Sequence, residues 1–126
     1  MSQEANALVT KFVKEFDAEA PSAEALGAYF TDDALYHNIP MEPVKGKAAI
    51  QATLGGMAAG GMRSLGWEVK HQTATGNVVM NERVDSFNIG GKTVAIPVMG
   101  VFVIQDGKIA EWRDYFDLGM WQKQMA

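Results

Sequence analysis

Residues 77–117 read NVVMNERVDSFNIGGKTVAIPVMGVFVIQDGKIAEWRDYFD, and the way they alternate decides the fold. β-Branched and aromatic residues recur with a period of two, which is the patterning of strands. Asn88-Ile89-Gly90-Gly91 and Asp106-Gly107 interrupt the runs, and Gly-Gly and Asp-Gly are the chemistry of hairpin turns. Together with the run before Gly76-Asn77, this predicts four strands, over 65–74, 77–88, 92–104 and 108–117, in an antiparallel meander.

Toward the N-terminus the period changes. Ala5, Leu8, Val9, Phe12, Val13 and Phe16 fall three and four apart, so residues 4–19 form an amphipathic helix with Lys11, Lys14 and Glu15 largely on its other side. Ser22, after Pro21, is an N-cap for a second, short helix whose apolar stripe is Leu26, Tyr29 and Phe30 and which ends at Thr31-Asp32-Asp33. A short strand over 34–38 stops before Pro40 and Pro43. A third helix over 46–59 carries Ala49, Ile50, Thr53, Leu54 and Met57. Its end runs into GGMAAGG, residues 55–61, which reads as a loop and matches neither phosphate-binding spacing. Residues 117–125 add a last amphipathic turn or two. Helices first and strands second define an α+β class, in which a curved sheet wraps the helices and its inward faces line a space.

A chain of 126 residues predicts one domain with one core. With 48% hydrophobic and 21% charged residues it reads as soluble and globular. A net charge of −4 with no extended basic cluster argues against nucleic acid as a partner. Cysteine is absent, and His37 and His71 have no ligand spacing, so no metal site is expected. No apolar run suits a signal peptide or a membrane span, and a cytoplasmic protein is the expectation.

Strand parity then sends charge inward. Arg83, Asp85 and Phe87 share one face of their strand, and Asp114 shares its face with Trp112 and Phe116. A surface salt bridge would explain Arg83 and Asp85, but an Asp between two large apolar residues calls for another reason. Tyr36 and Asn38 share a face on the short strand, where a phenol and an amide can hold a water or can simply be a core aromatic and a turn residue. His37 has the opposite parity, and His71, between Lys70 and Gln72, reads as solvated. Phe87, Ile96, Val98 and Phe116, with Met57 and Met62, suit either a core or a pocket lining, and the 8 methionines suit an adaptable one.

Two carboxylates beside one Arg in a dry site cannot both ionise comfortably. One is pulled down by the guanidinium, and the other is pushed up by burial and like charge. The unit offers a proton donor and a proton acceptor at one pH. An epoxide uses both, since its oxygen needs a proton as the ring opens while water attacks carbon and gives up a proton.

The segments YHNIP, NERVDSF and GVFVIQDGKIAEWRDYFD resemble the limonene-1,2-epoxide hydrolase family, and the likeness extends from the first helix to Phe116. The resemblance implies a cystatin-like (NTF2-like) cone with a strongly curved mixed sheet, a homodimer, no cofactor, and a small lipophilic epoxide and water as reactants. It implies Arg83 as the bridging cation, Asp85 as the acid, Asp114 as the base, and Tyr36 and Asn38 as the pair that holds the water. It further implies Met57, Phe87, Ile96, Val98 and Phe116 as pocket positions. Two other functions suit the same architecture: a ketosteroid-isomerase-like or cyclase-like enzyme, and a non-catalytic lipophile-binding module. The outer face of strand 92–104, with Ala95, Met99, Val101 and Val103, is apolar enough to meet a second copy or a helix.

Overall fold

A computed structural model describes residues 2–126. The first helix, α1 (Ser2–Lys14), buries Ala5, Val9, Phe12 and Val13, and its Glu4 and Lys14 complement the helix dipole at either end. A 3-10 turn over Glu15–Asp17 leads to α2 (Ala23–Gly27), which Ser22 caps by accepting a hydrogen bond from the Ala25 N–H at 3.3 Å. The sheet elements are β1 (Phe30–Asn38), β2 (Val44–Lys45), β3 (Met62–Thr75), β4 (Val78–Ile89), β5 (Lys92–Gln105) and β6 (Lys108–Tyr115). Helix α3 (Lys47–Ala59) lies between β2 and β3 in the chain, and α4 (Leu118–Met125) follows β6.

The six strands form one sheet in the order β2-β1-β6-β5-β4-β3. Strands β3 to β6 are the expected antiparallel meander. Asp106-Gly107 and Gly90-Gly91 turn with positive φ at both positions, as type I′ hairpins require. Strand β1, made early in the chain, docks parallel to the last strand, β6, so the sheet is mixed. Register shifts in β3, between Ser64 and Gly66 and between Val69 and His71, and another between β5 and β6 bend the sheet. Helices α1 and α3 lie against it. No helix among the described residues is long and apolar enough to cross a membrane.

Phe12 is the hub of the core. Its ring meets Phe16, Tyr29, Phe30, Phe102 and Trp112 edge-on at centroid distances from 5.0 to 6.2 Å, so α1, β1, β5 and β6 converge on one residue. Edge-to-face contacts add roughly 0.5–1.5 kcal/mol each beyond burial.

Four expectations need correcting. The first helix ends at Lys14, with a 3-10 turn over Glu15–Asp17, and does not run to residue 19. Phe30 and residues 31–33 belong to β1 and not to the second helix, because Phe30 pairs with Ile109 and the Ile109 N–H bonds the Tyr29 carbonyl at 2.7 Å. Sheet hydrogen bonds there take precedence over helical spacing. Gly55 and Gly56 lie inside α3, which runs on to Ala59, and are not a loop. A Cβ on Gly55 would sit 3.1 Å from that of Ala23, so the glycine lets α2 and α3 approach closely. The first of the four meander strands begins at Met62, three residues earlier than expected, and the last ends at Tyr115 and not at Asp117.

Candidate active site

Strand register assembles the charged residues. Across β1, β6, β5 and β4 the residues Asn38, Asp114, Gly100 and Asn81 lie side by side. Arg83 and Asp85 follow Asn81 on the same inward face of β4. Arg83 is 0% exposed, Asp114 3% and Asp85 4%, so all three belong to the interior.

Arg83 holds Asp85 bidentately, through Nε to Oδ1 at 3.0 Å and Nη2 to Oδ2 at 2.9 Å. The same Nη2 donates to Oδ2 of Asp114 at 2.8 Å. Asp114 accepts a second bond on its other oxygen, from the indole N–H of Trp112 at 2.7 Å. Arg83 Nη1 donates to Oδ1 of Asn81 at 2.9 Å, and the guanidinium carbon lies 4.8 Å from the centre of the Trp67 ring. Tyr36 stacks on Trp112 at 4.1 Å, and its hydroxyl accepts a bond from Asn38 Nδ2 at 3.0 Å. That bond leaves the phenolic proton and the Asn38 carbonyl available to a third group.

These groups form one wall of a cavity of about 210 Å³. Asp85, Asp114, Tyr36 and Asn38 face into it, and Arg83 stands behind them. All five expected pocket positions, Met57, Phe87, Ile96, Val98 and Phe116, line the cavity. So do Met41, Met62 and Trp67, together with Leu118 and Trp121 of α4. Helix α4 is tied to β5 by Gln124, whose amide exchanges two hydrogen bonds with the Ala95 backbone, at 2.8 and 2.9 Å. His37 is outside the cavity and bonds the Met41 carbonyl at 2.9 Å, and His71 is exposed.

Burial pushes the Asp85 carboxyl up from 3.8 to about 6, with Arg83 pulling it down and Asp114 adding to the rise. Burial lowers the Arg83 guanidinium's affinity for its proton, but the two carboxylates outweigh it and hold the side chain as a cation. Burial, assisted by the charge of Asp114, raises Tyr36 well above the usual phenol value, so it stays protonated.

Several residues escaped the strand-parity reasoning. Trp112 counted only as an apolar neighbour, although its N–H orients Asp114. Strand parity gives Gly100 no role, yet a Cβ there would lie 2.4 Å from Arg83 Nη1 and 2.9 Å from Oδ1 of both Asn81 and Asp114. A glycine inside a strand of β-branched neighbours is the sequence signal for such an approach. Trp67, Met41, Leu118 and Trp121 reach the cavity only through a bulged strand, a loop and helix α4, where period-two parity does not apply.

Among solved structures, one described as an M. tuberculosis LEH-like epoxide hydrolase superposes with a TM-score of 0.84 at 29% identity, over 98% of this chain and 90% of that one. A Catenulispora acidiphila protein with a ketosteroid isomerase-like fold gives 0.81 at 20% identity, over 93% and 90%. A Xanthomonas campestris protein provisionally described as a polyketide cyclase gives 0.82 at 22% identity, over 99% and 98%. The last two likenesses are of fold alone, and they place the chain in the α+β cone class shared with ketosteroid isomerase-like proteins. The family model of the limonene-1,2-epoxide hydrolase catalytic domain matches residues 3–126. The epoxide hydrolase EphG of Mycobacterium tuberculosis is 36% identical over 97 residues, which is 75% of this chain and 62% of that protein's length. The chain belongs to the limonene-1,2-epoxide hydrolase family.

Gly100→Ala should destabilise the fold by about 1–3 kcal/mol, the usual range for overpacking, because Arg83 has no room to retreat. An unchanged urea midpoint would show that it has. The raised Asp85 makes a second expectation. Unfolded, this carboxyl ionises near 3.8, and folded, near 6. The folded state therefore binds the extra proton between those values. The stabilising contribution of Asp85 is complete below about pH 4 and is lost as pH rises through about 6, roughly 3 kcal/mol in all. Urea unfolding of wild type and Asp85→Asn across that window should diverge accordingly, and parallel curves would refute it.

Proposed function

We propose that the chain is a cofactor-independent epoxide hydrolase that adds water to a small lipophilic epoxide in one step, giving a vicinal diol. One observation carries this reading: a single buried guanidinium joins two carboxylates that face the same apolar cavity. Asp85, protonated at and below about pH 6, delivers its proton to the epoxide oxygen as the C–O bond breaks. Asp114 takes a proton from the attacking water, whose oxygen bonds to carbon. Tyr36 donates to that water and Asn38 accepts from it, which aims it along the line of attack. Arg83 keeps the two acids in one electrostatic unit, so the proton lost by Asp85 and the one gained by Asp114 balance.

The family membership and the epoxide hydrolase relative support this assignment over an isomerase or a binding module. An apolar lining of Phe87, Ile96, Val98 and Phe116 favours a lipophilic substrate, and Met41, Met57 and Met62 give the wall adaptability. We also propose a second copy of the chain as the partner of the outer sheet face. Met80, Met99 and Tyr115 are exposed there, with Met99 paired directly to Tyr115.

Turnover should appear on a panel of cyclic and aliphatic epoxides. Asp85→Asn and Asp114→Asn should each lose about 10²–10⁴-fold in rate, the usual worth of a positioned acid or base. Wild-type rates in either variant would remove its assigned role. In isotope-labelled water, a single turnover should place the label in the diol; an unlabelled first product would indicate an ester with the enzyme. Sedimentation should give twice 13.7 kDa, and Met99→Lys should return the mass to that of one chain; a wild-type monomer would end the dimer proposal.

A further inference from the structure

Arg83 has one partner that the reaction above does not use. Its Nη1 donates to Asn81, which is 1% exposed and two residues before it on the same face of β4. A guanidinium only donates, so Asn81 must turn its carbonyl inward and its NH₂ away. That NH₂ meets Gln72 Oε1 on β3 at 3.1 Å. Gln72 must then point its own NH₂ outward, where it meets Asn6 Oδ1 at 2.8 Å and Thr10 Oγ1 at 3.0 Å on α1. The cation at the inner end therefore sets the direction of every amide in the series. Gln72, Asn81, Gly100 and Asp114 occupy one row across four strands, and the glycine leaves the space that the guanidinium fills.

The charges around this row matter as much as its geometry. The titratable groups that face Arg83 are Asp85 on its own strand, Asp114 on β6 and Tyr36 on β1. Asn81, Gln72 and Trp67 complete the surroundings from β4 and β3, Gly100 from β5, and Asn6 and Thr10 from α1, all without charge. A carboxylate at position 81 would divide one cation among three acids. An apolar side chain there would leave Nη1 without its partner and free the guanidinium plane to turn off Asp85 and Asp114.

We propose that Asn81 is a positioning residue of the reaction, a neutral anchor behind Arg83 that reserves the whole cationic charge for Asp85 and Asp114. The inference rests on the epoxide hydrolase reading. Asn81→Leu removes the anchor and should lower kcat about 100-fold with KM little changed, as expected for misplacement of about an ångström. Asn81→Asp keeps the acceptor and the volume, so it should restore much of the rate at its own optimum. Its added charge should move both limbs of the pH–rate profile upward by roughly a unit. Carbon-13 carboxyl NMR of Asp85 should show the same upward move, and this measurement needs no turnover. Should wild type turn over no epoxide, the functional reading fails while the NMR titration still tests Asn81. An Asp85 titration in Asn81→Asp that coincides with wild type overturns the inference. So does an Asn81→Leu variant with unchanged kcat, and where that variant does not fold, Asn81→Asp alone decides.

Discussion

A guanidinium with no exposure, clasped by two buried carboxyl groups, is the constraint around which this molecule is arranged. Moving such groups out of water is expensive, and a buried ion pair often stabilises a fold no better than an apolar replacement would. Arg83, Asp85 and Asp114 also adjoin a largely apolar cavity, where charge serves packing poorly. Under the proposed reaction their placement makes sense as chemistry. One cation against two ionised acids leaves the unit one proton short of neutrality, and burial strengthens the hold of Asp85 on its proton. The same low-dielectric setting that makes the cluster costly raises the Asp85 carboxyl from 3.8 to about 6.

The sheet supplies the rigidity such a cluster requires. Neighbouring strands deliver Asn38, Asp114, Gly100 and Asn81 in one row, so backbone hydrogen bonds set the side-chain spacing. Trp112 joins this row to the hydrophobic core: one face stacks on Tyr36, its edge meets Phe12, and its N–H fixes an oxygen of Asp114. The aromatic core and the polar site are thus mechanically continuous. Strand β5 extends beyond its pairing with β6, and there the Gln124 amide takes up both backbone groups of Ala95 as a neighbouring strand would. A side chain thereby satisfies the unpaired edge of β5 and holds α4, whose Trp121 lines the cavity, against the sheet.

Much of this was legible in the chain. Period-two alternation in β4, β5 and β6 identified the strands, and the same parity put Arg83, Asp85 and Asp114 on inward faces, because the parity of a regular strand is a local property. Hairpin glycines ordered those strands, and Ser22 marked a helix start that its hydrogen bond bears out. Helical spacing misled at Phe30, where a pairing partner from the far end of the chain, Ile109, determined the local structure. Composition misled at Gly55, where the contact with Ala23 determined it.

Which charged residues face inward was therefore settled by the order of amino acids, through alternation that any short strand displays. How they meet was settled by the tertiary fold alone. The parallel docking of β1 beside β6 brings Tyr36 and Asn38 to Asp114, and register across β4, β5 and β6 brings Arg83 within reach of both acids. Those are contacts between residues distant in sequence, and their geometry depends on bulges, pairing and a missing Cβ at Gly100 that no local pattern encodes.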